Sequence, residues 1–275
     1  MAVVTISRKV GSLGDEIGAL VARKLGYELV NREGIHRIAR ECDLEFRDAC
    51  AAFEAETAPG GLWERMFFRD PAYACLFEAL NLELASRGDV VILGRGAQIA
   101  LAEVPGVFHA RVVAPAGLRA ERVAQRMGLS LDEAREFVRH YDQQRRSLIE
   151  SVYHRDLADW SLYNLVLNTA NLSAEAGAEL IALAAKAMPP VNDPQAVSQE
   201  LARRAFAKKV ESAIKKRVLT SPYHDVRVQC PLEGKVRLEG FVQDRDTRRR
   251  VGEIAQKYPG VIEVDNQLRT TALGF

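Results

Sequence analysis

The sequence predicts an α/β domain, a parallel sheet flanked by helices, followed by a small α+β unit. Three observations carry this reading. Short apolar runs alternate with helical patterns over residues 1–187, the mark of a parallel sheet with crossover helices. Around Met188 the chain reads MPPVNDPQ, three prolines in six residues after an Ala-rich run, and prolines so placed end a helix. Beyond them the charge changes sign. From residue 195 on there are 16 Lys and Arg against 10 Asp and Glu, net +6, leaving 22 against 27, net −5, in the rest of the chain. The expected organisation is therefore a first domain at 1–187, a linker at 188–194 and a second domain at 195–275.

The elements follow in order. VVTI (3–6), VVIL (90–93), FHARVV (108–113) and LVLN (165–168) are short apolar runs rich in β-branched residues and read as buried strands. Helical periodicity places helices near 14–25, 35–55, 71–87, 116–127, 131–153 and 173–187. After the linker come a helix over about 195–219, the alternating strands VRVQC and KVRLEGF, a helix at 244–257 and VIEVDNQL.

Composition narrows the function. With 48% hydrophobic residues, 27% charged and a net charge of +1, the chain reads as a folded globular protein, and its overall charge demands neither nucleic acid nor an anionic membrane. MAVVTISRKV has no long apolar stretch, and no window is long and apolar enough to span a bilayer. The expectation is a cytoplasmic protein. Cys42, Cys50, Cys75 and Cys230 form no CxxC pair and read as reduced thiols without structural zinc. His36, His109, His140, His154 and His224 show no metal-ligand spacing. Between Lys24 and Lys186 there is no lysine, whereas ten arginines run from Arg95 through Arg155; planar anion recognition and a GC-rich genome both produce that bias.

The chemistry centres on the first strand-to-helix turn. VVTI runs into SRKVGSLGDEIGALVARKLG, where Gly11, Gly14 and Gly18 surround a loop before an amphipathic helix. Backbone N–H groups converge at such a helix start, where the dipole is positive, and make an anion site. Backbone geometry alone also asks for glycine in such a turn.

Four blocks widen the pattern: TISRKVGSLGDEIGALVARKLGYELVNREGIHRIA, VVILGRGAQIAL, VVAPAGLRAERVAQR, and YDQQRRSLIESVYHRD with LYNLVLNT. With these the chain resembles the cytidylate kinase-like family over about residues 3–185. The resemblance implies a P-loop fold, ATP and Mg²⁺ as cofactors, and phosphoryl transfer to a nucleoside monophosphate. It places the phosphate loop at Ser7 to Glu16, including Gly11, Ser12, Gly14, Asp15 and Glu16. It sets Arg37 and Arg95 on the acceptor phosphate, and Arg122, Arg126, Asp142 and Arg145 in or near an arginine-rich lid. Trp63, Met66 and Phe67 could line the acceptor pocket or, with the other aromatics of that stretch, form packing or a subunit contact in a homo-oligomer.

The sequence departs from the family at the loop. GxxxxGK[ST] needs a lysine for the β/γ-phosphates and a hydroxyl for Mg²⁺, but Gly14 stands at the lysine position, Asp15 and Glu16 replace the hydroxyls, and Arg8 replaces the first glycine. The two carboxylates either repel phosphate or hold the magnesium. Arg8 or Lys9 is then the substitute cation. Gly96 and Asn31 stand where related kinases carry acidic residues. Asp142, Arg145, Arg146, Asp156 and Asp159 could form a lid over the donor phosphates; equally, Asp142 with Arg145 and Arg146 fits an exposed helix with i,i+3 and i,i+4 ion pairs.

The C-terminal unit resembles a BON domain through KVRLEGFV, Val251, Ile254, Ala255 and PGVIEVDNQL, with Gly240 and Gly260 expected at turns. This resemblance implies attachment to anionic lipid or to a protein partner. AKKVESAIKKR and RDTRRR suit an anionic surface or a solvated helix face. Two functions are open: a nucleoside monophosphate kinase, or a catalytically silent nucleotide sensor or scaffold acting through its BON-like domain.

Overall fold

The structure, a computed structural model, describes residues 2–30, 71–218 and 224–271. The helix expected at 35–55, Arg37, Cys42, Cys50 and the Trp63 to Phe68 aromatics lie outside the described residues. The chain forms two compact units.

In the first, β1 (Val3–Arg8), β2 (Glu28–Val30), β3 (Val90–Leu93), β4 (Val107–Val113) and β5 (Leu165–Asn168) make one parallel sheet in the order β2-β3-β1-β4-β5. The four strands expected from sequence are all present. The three-residue β2 was not expected, because so short an edge strand leaves no periodic signal. Helices α1 (Gly14–Leu25), α3 (Ala97–Ala100), α4 (Ala116–Met127), α5 (Leu131–Tyr153) and α6 (Ala174–Lys186) complete the unit. Alternation sends Val4, Ile6, Ala110 and Val112 to one face, where they are buried against Ile17 and Val21 of α1 and Ile181 of α6. Each of these valine and isoleucine side chains contributes roughly 1.5–3 kcal/mol on burial.

The other face carries polar cross-strand pairs. Thr5 sits opposite His109 and Ser7 opposite Arg111 in the β1/β4 register. Thr5 Oγ1 and His109 Nδ1 share a hydrogen bond of 2.7 Å. Burial pushes the His109 imidazole down to about 4. The folded protein therefore keeps it neutral while the unfolded chain takes up a proton below about pH 6.5. Stability from this residue is present above pH 6.5 and lost as the pH falls toward 4. Urea unfolding should show the wild-type advantage over His109→Gln shrinking by about 2–3 kcal/mol between pH 7.5 and pH 4.5. A constant difference would show that His109 titrates alike in both states.

The second unit joins α2 (Pro71–Arg87) to the chain from Gln195 onward. Sequence order alone would leave α2 beside the strands that flank it. In the structure its partners lie on α7 (Pro194–Val218): Lys208 pairs with Glu78 at 2.8 Å, Lys209 with Glu83 at 2.7 Å, and Ser212 Oγ donates to the Ala72 carbonyl at 2.9 Å. Cys75 donates to Glu211 at 3.2 Å, and burial together with the Glu211 charge pushes its thiol up to about 12. It stays protonated and unreactive. Strands β6 (Asp225–Leu232), β7 (Lys235–Val242), β8 (Glu263–Asn266) and β9 (Arg269–Thr270) form a mixed sheet with α8 (Arg245–Gln256). Gly260 does lie in a turn, with φ 88°. Gly240 does not: it sits inside β7 opposite Val226, with φ 110°, where a Cβ would strike the Asp225 carbonyl. Close strand approach, not chain reversal, is what requires glycine there.

Candidate functional site

The site grows from the end of β1. Gly11 has φ 75° and Leu13, the residue before α1, φ 63°. These left-handed residues fold the loop back on itself. A Cβ at Gly11 would lie 2.6 Å from the Arg119 carbonyl, so the turn closes only without one. Ser12 is buried and its Oγ donates to the Lys9 carbonyl at 2.7 Å, fixing the loop from inside. Gly14 opens α1 with Asp15 and Glu16 in the first turn.

Arg8 fills the interior of this turn. Its side chain lies where a Cβ on either Gly14 or Gly94 would go, and its Nε pairs with Asp15 Oδ1 at 2.9 Å. Lys9 points elsewhere, to Asp142 at 3.5 Å. Asp142 is also held by the fork of Arg119, at 3.1 and 2.8 Å. Arg119 further donates to the Ala114 and Val10 carbonyls. The expected i,i+3 and i,i+4 partners of Asp142 on its own helix are thus replaced by a buried arginine of α4 and by Lys9, because tertiary packing brings a fully desolvated guanidinium within reach. Arg145 Nη1 donates to the Arg8 carbonyl at 3.3 Å, and its guanidinium carbon lies 5.2 Å from the Tyr141 ring centre.

A cleft of about 270 Å³ opens here, lined by Arg8, Lys9, Arg111, Asp142, Arg145 and Arg146 together with Asp156 and Trp160. Of the residues expected from sequence, it gathers Arg8, Lys9, Asp142 and Arg145. Arg95, Arg122, Arg126 and the loop residues Gly11, Ser12, Gly14, Asp15 and Glu16 are not in its lining. Arg122 ties the loop to β5, donating to the Gly11 carbonyl at 3.3 Å and the Thr169 carbonyl at 2.9 Å. Arg95 is buried, with φ 62° between Gly94 and Gly96, and donates to the Val30 carbonyl at 3.4 Å. Arg111 and Arg119 escaped the sequence reading. A charged residue in the apolar run FHARVV was the available signal for Arg111; for Arg119, one of several arginines on an amphipathic helix, there was none.

A strand, a glycine turn and a helix start beside clustered guanidinium groups can hold an anion and stabilise charge on a transferring phosphoryl group. Residues 3–171 match the cytidylate kinase-like family, which is more than half of the chain. The chain belongs to that family. Residues 205–272 of this family member match the BON domain. It is 29% identical to the cytidylate kinase of Ignicoccus hospitalis over 185 residues, 66% of this chain and 97% of that protein. To the cytidylate kinase of Natronomonas pharaonis it is 30% identical over 190 residues, 69% of this chain and 92% of that one. A crystal structure of an uncharacterized protein from Eubacterium ventriosum has a TM-score of 0.52 at 16% identity, covering 68% of this chain and 99% of the other. A likeness at that identity speaks for the fold alone. The parallel sheet flanked by helices in the present chain, with its C-terminal mixed sheet, is the architecture expected from sequence. Among the described residues no helix is long and apolar enough to cross a membrane.

Proposed function

We propose that this protein transfers the γ-phosphoryl group of ATP, with Mg²⁺, to a nucleoside monophosphate, with CMP the first acceptor to test. The observation that supports it most is the cluster of Arg8, Lys9, Arg111, Arg145 and Arg146 around one cleft at the end of the strand that leads into the glycine turn. Phosphoryl transfer asks of a protein mainly that it position the groups and neutralise charge, which cations so placed do. In this reading Gly11, Ser12 and Gly14 shape the donor-phosphate loop, Arg8 supplies its cation, Arg145 and Arg122 act from the lid side, and Arg37, Arg95 and Asp142 serve the acceptor. Among the described residues no three acidic, His or Cys side chains gather into a metal cage. Asp15 and Glu16 would then share the magnesium with the phosphates, the usual way of holding this ion.

Measured ADP release with a panel of monophosphates tests the proposal. CMP-dependent turnover is expected; a flat panel at high enzyme concentration overturns it. The second reading, a silent nucleotide sensor, draws on Gly14 in place of the loop lysine and on two carboxylates at the helix start. Calorimetric binding of ATP without turnover would favour it. A role for the BON domain at anionic lipid or a protein partner is part of either reading, as is assembly into a homo-oligomer.

A further inference from the structure

Arg111 is the charged residue at the cleft to which sequence reading gave no part. It is 6% exposed. Strand alternation sends it, with its register partner Ser7, to the face of the sheet opposite α1 and α6. Its Nη1 donates to Ser7 Oγ at 2.8 Å and to the Tyr163 hydroxyl at 3.0 Å, and its guanidinium carbon lies 5.3 Å from the centre of the Tyr163 ring. All three contacts are neutral. Among the described residues no carboxylate pairs with Arg111. The two acidic side chains of the cleft wall are occupied elsewhere, Asp142 by Arg119 and Lys9, and Asp156 by the Ala158 N–H at 2.8 Å.

A buried charge without a counter-charge is costly. Arg8, Lys9, Arg145 and Arg146 line the same cleft, where Arg8 pairs with Asp15 and Lys9 with Asp142, which leaves neither of those acids to Arg111. Both protein hydrogen bonds fall on Nη1, so the rest of the fork is left for a group that enters from the cleft. We infer that Arg111 is the floor of a phosphate site: a phosphoryl group, from the polyphosphate chain of a nucleotide or from inorganic polyphosphate, binds against its fork, with Arg8 and Arg145 on either side. The inference rests on the phosphate-binding reading of the cleft, not on any choice of nucleoside.

The test uses the full chain, titrated by calorimetry with ATP and separately with inorganic tripolyphosphate, beside thermal unfolding with and without tripolyphosphate. Arg111→Met should weaken both ligands by about tenfold or more, the scale of a hydrogen-bonded charge. Without ligand the variant should melt at or above the wild-type temperature, because an uncompensated buried charge has gone. It should also lose the rise in melting temperature that tripolyphosphate gives the wild type. A structural arginine would behave oppositely: a variant that melts several degrees lower, or does not fold, overturns the inference. So does a folded variant with unchanged tripolyphosphate affinity. Wild type that binds tripolyphosphate but no nucleotide rejects the kinase reading and keeps this site. Wild type that binds ATP just as Arg111→Met does rejects the site and keeps the kinase reading. Binding of neither rejects both.

Discussion

Arg8→Ala should reduce phosphoryl transfer by on the order of a hundredfold or more, whereas Lys9→Ala should change it little. The expected size is that of losing one preorganised group that meets developing charge. The asymmetry comes from the geometry. The Arg8 side chain is 18% exposed and fills the space inside the turn, between Gly14 and Gly94. Lys9 is 35% exposed and is turned toward Asp142. Gly94→Ala supplies an independent check, because its new Cβ would occupy the position of the Arg8 guanidinium while φ 77° adds backbone strain. It should reproduce most of the Arg8→Ala loss with the charge still present. Equal turnover for Arg8→Ala and wild type would show that the cation replacing the loop lysine lies elsewhere.

The largest effect on stability should follow Arg119→Ala, about 3–5 kcal/mol in urea unfolding, the range for breaking a buried ion pair from one side. Arg119 is 2% exposed and joins three segments: the Asp142 carboxylate on α5, the Val10 carbonyl in the loop, and the Ala114 carbonyl at the end of β4. Alanine leaves Asp142 with Lys9 alone at 3.5 Å, and the Ala114 and Val10 carbonyls without that donor. Arg119→Lys should recover only part of the loss, since an ammonium cannot present the bidentate fork that meets both Asp142 oxygens. A cost below about 1 kcal/mol would place the pair with ordinary surface ion pairs.

By itself the sequence determined most of the local structure of the described residues, apart from the short strand β2 and the place of Gly240. Apolar periodicity reports which residues of a segment turn inward, and caps and glycines report where it stops. Helices 14–25, 71–87, 116–127 and 131–153 were therefore legible to the residue, and the glycine turn before α1 was legible as a loop built for close approach. The arginine-rich stretch was legible as a composition. Only the tertiary structure decided which of those arginines meet. Setting β4 beside β1 makes Ser7 and Arg111 neighbours across 104 positions of chain. The packing of α4 against α5 gives Asp142 to Arg119, 23 positions away, instead of to Arg145 or Arg146 one turn along its own helix. Helix α2 likewise joins α7 through Glu78 and Glu83, although strands of the other unit flank it in sequence. The physical reason is the same in each case. Burial pattern is a property of a segment and is written locally, but pairing depends on loop closure and on the summed packing of distant faces, which no single segment encodes.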